Sequence, residues 1–238
     1  MHERKVALIT GANKGLGFEI ARQLGGEGIT VVLGARDEAK AEAAASRLRA
    51  EGVDAHPVRL DVTSEADIAA LPAFFDGRFG RLDILINNAG VMLEFGETTP
   101  EIFRQTYETN VFAPWFVTRA LLPLLKAAPA GRIVNHSSVM GSIAIVGNAA
   151  AFPLDAIKPV YCSSKAALNM LTVTTARELE GTRIKVNAAH PGWVKTDMGT
   201  DAAPLDVADG AKTAVALALL PDDGPTGAYF HLGKPLPW

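Results

Sequence analysis

Tyr161 stands four residues before Lys165 in the stretch YCSSK. On a helix, residues four apart share a face, so the phenol and the ammonium group become neighbours. A free tyrosine, with a pKa of about 10, is a poor acid or base at neutral pH. A nearby ammonium favours the phenolate and draws that pKa down. The pairing suits a site that hands a proton to a carbonyl oxygen. Ser138, 23 residues upstream, offers a hydroxyl that could hydrogen-bond the same oxygen. With three tyrosines in the chain, the spacing also arises by chance, so its context decides.

A second group is TGANKGLG at 10–17, between the apolar run KVALIT and a stretch where Leu16, Ile20 and Leu24 recur four apart. Gly11, Gly15 and Gly17 let the backbone turn tightly and approach a ligand. A helix opening there aims free N–H groups and its positive dipole end at a phosphate. The spacing G-x-x-x-G-x-G differs from the G-x-G-x-x-G of the most familiar dinucleotide fingerprint. After the second apolar run, NAD sites of this topology place an acid that holds the ribose 2′-OH. Here Ala35 and Arg36 stand there instead. An arginine pairs with a 2′-phosphate through charge-assisted hydrogen bonds, and Lys14 would add a second charge. Both features favour NADP over NAD. Asp37 is the dissenting residue, able to pair with Arg36 and partly neutralise it.

Strand-like runs at 5–10, 29–35, 56–62, 82–89, 131–138, 183–190 and 227–232 must position these residues. They alternate with helical patterns near 15–26, 38–51, 64–79, 100–127, 160–180 and 206–220. Such alternation predicts a parallel sheet buried on both faces. Thr63 or Ser64, followed by Asp67, would cap the third helix. Residues 142–160 read as a long loop beside the site. Each polar or glycine-rich group follows a strand: Gly11, then Arg36, then Asp61 at the end of the third, NNAG at 87–90, Ser137 and Ser138, and HPG at 190–192. In an open α/β sheet the ligand crevice lies outside the carboxyl ends of the strands. Six such groups at one edge exceed what turn chemistry requires.

A chain of 238 residues fits one domain, and 48% hydrophobic with 21% charged residues excludes disorder. A net charge of −3 gives no case for binding nucleic acid or an anionic membrane. The lone Cys162 rules out an intramolecular disulfide and reads as a packed thiol. His136 and His190 flank the crevice without a further ligand at metal spacing. No apolar run reaches the roughly 18 residues that span a bilayer. The opening MHERKVALITGA lacks the features of a signal peptide. A cytoplasmic protein of a reducing compartment is expected.

Taken in order, TGANKGLG, LDV with Asp61, NNAG, Asn110 in ETNVF, NHSS, YCSSK and HPGWVKTDM at 190–198 resemble the short-chain dehydrogenase/reductase family. The match covers nearly the whole chain, and the separations agree as well as the letters. GARD, HPGWVKTDMGT and the long Ser–Tyr gap are similar to its carbonyl-reductase-like members. The gap implies an insertion within 142–160. The resemblance implies an α/β fold with a Rossmann-type, doubly wound parallel sheet of about seven strands, a single domain over 1–238, and a substrate lid at about 197–215. It implies Tyr161 as general acid, with Lys165 lowering its pKa and holding the nicotinamide ribose. Ser138, in preference to Ser137, would polarise the carbonyl, and Asn110 would hold a relay water. NADP(H) would contact Gly11, Asn13, Lys14, Gly15, Leu16, Gly17 and Arg36. Asp61 and Val62 would meet the adenine, Asn88, Ala89 and Gly90 the middle, and Pro191, Gly192, Val194 and Thr196 the nicotinamide.

Residues just after the motifs would face the substrate: Met92, Met140, Phe152, Trp193 and Met198, with Ser138. Their apolar character points to a hydrophobic aldehyde, ketone or diketone. The expected activity is NADPH-dependent carbonyl reduction. Alternatives are an alcohol dehydrogenase working oxidatively, or an NADP(H)-sensing protein without turnover. A sensor is expected to lack Tyr161 or Lys165. Related folds act on nucleotide sugars, but the 47 residues after Pro191 are too few for their extra domain. Family members pair through the helices near 100 and 160 into a homodimer or homotetramer. An insertion before the second of these helices leaves some as monomers. Trp238 is expected on the lid or at a subunit contact.

Overall fold

Short β-branched runs favour strands, and the chain supplies them at regular intervals. The structure, a computed structural model, describes residues 4–238; the first three residues of the opening segment lie outside the described residues. The strands are β1 (Val6–Thr10), β2 (Thr30–Ala35), β3 (Ala55–Arg59), β4 (Ile84–Asn87), β5 (Arg132–His136), β6 (Lys185–Ala189) and β7 (Tyr229–His231). They form one sheet in the order β3-β2-β1-β4-β5-β6-β7, with every pairing parallel. An eighth strand, β8 (Lys234–Pro235), runs antiparallel beside β7. At two residues it is too short to leave a periodic signal, so the expected seven become eight. Asp61 does not end β3 but lies two residues beyond it.

Side chains on β1 alternate between two cores, as the strand period requires. Ala7 and Ile9 join Ile20 and Leu24 of α1 (Gly15–Gly26), Leu48 of α2 (Glu38–Ala50) and Ala214 further along the chain. Val6 and Leu8 join Leu71 and Phe75 of α3 (Glu65–Phe79) on the other face. Helices on both faces of the sheet make the fold doubly wound. Ser64, not Thr63, caps α3, accepting the Asp67 N–H at 3.3 Å.

The single helix expected over 100–127 is three pieces: α4 (Pro100–Tyr107), a π turn at Glu108–Phe112, and α5 (Ala113–Ala127). Pro114 has no N–H to give the carbonyl of Asn110, so the helical ladder breaks there. Phe103, Phe112 and Phe116 of this stretch are exposed. So is Met170 on α7 (Pro159–Glu178). These are the helices that the resemblance assigns to pairing. Residues 142–160 are not all loop. Ser142 caps a short helix, α6 (Ile143–Val146), and a 3-10 turn covers Leu154–Ala156. The last helix is α8 (Val207–Ala218). Among the described residues, no helix is long and apolar enough to cross a membrane.

Candidate active site

Ser138 follows β5, and Tyr161 and Lys165 lie in the first turns of α7. The Ser138 hydroxyl faces the Tyr161 phenol closely enough to favour its ionised form. It also accepts the Met140 N–H at 3.3 Å, capping the turn Val139–Gly141. Ser137 is engaged elsewhere, donating to Asn169 Oδ1 at 2.6 Å. The ammonium of Lys165, a residue only 4% exposed, donates to the His136 carbonyl at 2.9 Å and stands 5.7 Å from the Tyr161 ring centre. Gly90 closes the group. A Cβ there would lie 3.3 Å from Asn110 Oδ1 and 3.4 Å from Lys165 Nζ.

Asn110 sits in the π turn and is fully buried. Its amide brackets Val91, accepting from N and donating to O, both at 2.8 Å. It also donates to Ser164 Oγ at 3.1 Å. The side chain therefore holds loop and helix together.

The electrostatics correct one expectation. The Tyr161 pKa shows no net fall: burial pushes it up to about 12, with Ser138 opposing. Burial also draws Lys165 down to about 8. At neutral pH the phenol is protonated, as a proton donor must be, and the lysine is mostly charged. The Cys162 thiol is likewise raised, chiefly by burial.

Burial holds His136 down to about 3, helped by Lys165 and His190. Burial, then His231, does the same for His190. Both histidines stay neutral in the fold while the unfolded chain takes up protons below about 6.5. Stability is therefore full above that pH and lost as pH falls toward 3. Melting curves should show a drop of about 10 °C between roughly pH 6.5 and 5. His136→Asn should about halve that slope, since His190 remains; an unchanged slope would contradict the assignment.

At the other end of the crevice, α2, α3 and α4 each carry a side-chain cap, from Asp37, Ser64 and Thr99. Helix α1 does not, since Lys14 at its N-cap makes no capping bond. Its first amides suit an anion. A Cβ on Gly17 would lie 2.5 Å from Asn88 Nδ2, and one on Gly11 would lie 3.0 Å from Ala89 Cα. Gly11 also needs its positive φ of 64°. Asn88 donates to the Thr10 carbonyl at 2.8 Å, and the Thr10 hydroxyl accepts the Asn88 and Ala89 N–H groups. Asn13, Gly15 and Leu16 complete this cradle, which fits a dinucleotide.

Arg36 is exposed just beyond β2 and has no ion pair among the described residues. Asp37 does not neutralise it; that carboxylate caps α2 and pairs with Lys40. Asp61, beside Val62, accepts from Thr63. That bond and the charges of Arg36 and Arg59 hold its carboxyl low against burial. Lys14 is not free as expected. It pairs with Asp197, at the start of the expected lid, and both are exposed, so the pair is weak. Past Pro191, Gly192 adopts a φ of 89° where a Cβ would meet Leu205. Val194 bridges Leu205, and Thr196 accepts the Gly199 N–H at 3.1 Å.

The sequence pattern of the family described as short chain dehydrogenase matches residues 5–205. The chain belongs to that family. Carbonyl reductase 1 of Mus musculus, a protein named for NADPH, is 36% identical, with 99% of each chain covered. The (-)-isopiperitenone reductase of Mentha piperita is 35% identical over 98% of each. The NADPH-bound carbonyl reductase from chicken fatty liver has a TM-score of 0.88 at 30% identity, covering 99% of this chain and all of that one.

The segments that follow the motifs of this short-chain dehydrogenase carry several apolar side chains. Trp193 and Met198 are exposed, and Met92, Met140 and Phe152 are half-buried. Phe95, Ile143 of α6 and Leu154 of the 3-10 turn are also exposed and were not singled out from the sequence. Their one signal was adjacency to the motifs. Trp238 packs at the start of β7. It stacks on Tyr229, with ring centres 5.4 Å apart, and its carbonyl accepts the Ala144 N–H. Sequence reasoning also missed Glu94, buried beside the start of α7.

Proposed function

We propose that this short-chain dehydrogenase reduces apolar aldehydes, ketones or diketones to alcohols with NADPH. The observation that carries this reading is the convergence of Ser138 on the Tyr161 phenol, with buried Lys165 one turn away and the glycine cradle along the same edge. Bound NADPH supplies the hydride to the carbonyl carbon. Ser138 orients the carbonyl oxygen. Tyr161 passes its phenolic proton to that oxygen as negative charge develops there. Burial keeps the phenol protonated until then. Lys165 stabilises the phenolate left behind and holds the ribose hydroxyls. Asn110 fixes the loop at Val91 and offers its main-chain carbonyl to a water of the proton relay. The complete Ser138, Tyr161 and Lys165 set favours turnover over cofactor sensing.

Gly11, Asn13, Gly15, Leu16 and Gly17 cradle the phosphates, and Asp61 and Val62 meet the adenine. Asn88, Ala89 and Gly90 line the middle, and Pro191, Gly192, Val194 and Thr196 the nicotinamide. Arg36 pairs with the 2′-phosphate, with Lys14 contributing less because Asp197 competes for it. The relatives named for NADPH support the same preference.

Steady-state consumption of NADPH and NADH across a panel of apolar carbonyls tests this reading. NADPH should be the better substrate. Arg36→Ala should lower kcat/KM for NADPH about tenfold or more and leave that for NADH unchanged. Equal use of both cofactors by the wild-type protein would contradict the assignment of Arg36. Consumption of neither with any carbonyl would contradict the proposed reaction.

A further inference from the structure

The catalytic helix α7 is capped from a distance. Its first residue, Pro159, has no N–H, and its N-cap Lys158 makes no capping bond. The Cys162 N–H returns to the Lys158 carbonyl at 2.7 Å. That leaves the N–H groups of Val160 and Tyr161, both buried and in need of acceptors. Glu94 supplies them. One carboxylate oxygen accepts from Val160 at 3.0 Å and the other from Tyr161 at 2.7 Å. Glu94 is 5% exposed, and no cation pairs with it among the described residues. The helix amides are the partners that keep this carboxylate in the interior.

Glu94 belongs to the segment that follows NNAG, three residues beyond Val91. Val91 is itself bracketed by Asn110. Residues 91–94 are thus strung between two fixed points, the Asn110 amide and the backbone of Tyr161. We propose that Glu94 is a positioning residue. It locks the loop bearing Met92 to the residue carrying the proton donor, so that a carbonyl held against the loop meets the Tyr161 hydroxyl in register. The proposal rests on Tyr161 as proton donor. Retained turnover in Tyr161→Phe would remove that premise, a result separate from the outcomes below.

Glu94→Gln keeps the shape but turns an amide NH2 toward one of the two N–H groups. Carbonyl reduction should fall about tenfold or more in kcat/KM, because small displacements of a reacting group are costly. The dissociation constant for NADPH should stay within about twofold. The solvent deuterium isotope effect on kcat should rise, as proton transfer becomes slower. A loss of NADPH affinity matching the loss of turnover would overturn the proposal, as would an unchanged isotope effect.

A second variant separates tethering from capping. In Glu94→Ala with Lys158→Asp, the new aspartate caps α7 locally. Thermal stability should recover relative to Glu94→Ala alone, while turnover should stay low. Recovery of turnover together with stability would show that Glu94 is only a cap, and would overturn the proposal.

Discussion

Replacing Tyr161 by Phe is expected to reduce carbonyl turnover by about a thousandfold or more. Tyr161 is 7% exposed, so the phenylalanine ring fills the same space. Only the hydroxyl is lost, with its approach to Ser138. Ser138 keeps its contact with the Met140 N–H, so the stability cost should be about 1 kcal/mol. No atom of the glycine cradle moves, and NADPH affinity should stay within about twofold. Titration of NADPH fluorescence beside single-turnover kinetics separates the two effects. Substantial remaining turnover would mean that the proton comes from elsewhere. Tyr229 is the other phenol coupled to this site, and burial raises its pKa well above the ordinary value.

The second large effect is expected at Gly141. This residue ends the turn that Ser138 caps, and it lies against the backbone of α7. A Cβ there would stand 2.6 Å from the Lys165 carbonyl carbon and 2.9 Å from the Ala166 nitrogen. Neither atom can rotate away, as the tip of a side chain could. Gly141→Val must push the turn and helix apart, which separates Ser138 from Tyr161. Overpacking of this kind costs about 3 kcal/mol, or about 10 °C in Tm for a chain of this length. Turnover should fall about a hundredfold even where the protein is fully folded. Differential scanning calorimetry and kinetics on the folded fraction check both numbers. Wild-type behaviour would mean that the β5–α7 approach is looser than described.

Much of this architecture is legible in the chain because its signals are local. VALIT and TVVLGA are apolar at nearly every position, as strands covered on both faces must be. The residues that follow successive strands do meet at one edge, because parallel strands put all their carboxyl ends on one side. What was hidden depends on partners far away in sequence. Lys14 and Asp197 are 183 positions apart, and Glu94 and Tyr161 are 67. Neither contact leaves a pattern in a single segment. The Tyr161 pKa was misjudged for a related reason. The i, i+4 lysine was visible, but the depth of burial that outweighs it belongs to the packed fold. Pro114 was in plain view, yet the π turn before it was not read, since a proline more often ends or kinks a helix. The two-residue β8 is too short for any periodicity.

The central claim is that hydride moves from NADPH to a carbonyl carbon beside Tyr161. NADPH carrying deuterium at the transferring position of its nicotinamide tests it directly. Mass spectrometry of the alcohol formed from an apolar ketone should find one deuterium on the former carbonyl carbon. Under the same conditions Tyr161→Phe should form little alcohol, and what it forms should carry the same label. Alcohol formed without the label, or oxidation of the cofactor with no alcohol formed, would contradict the account.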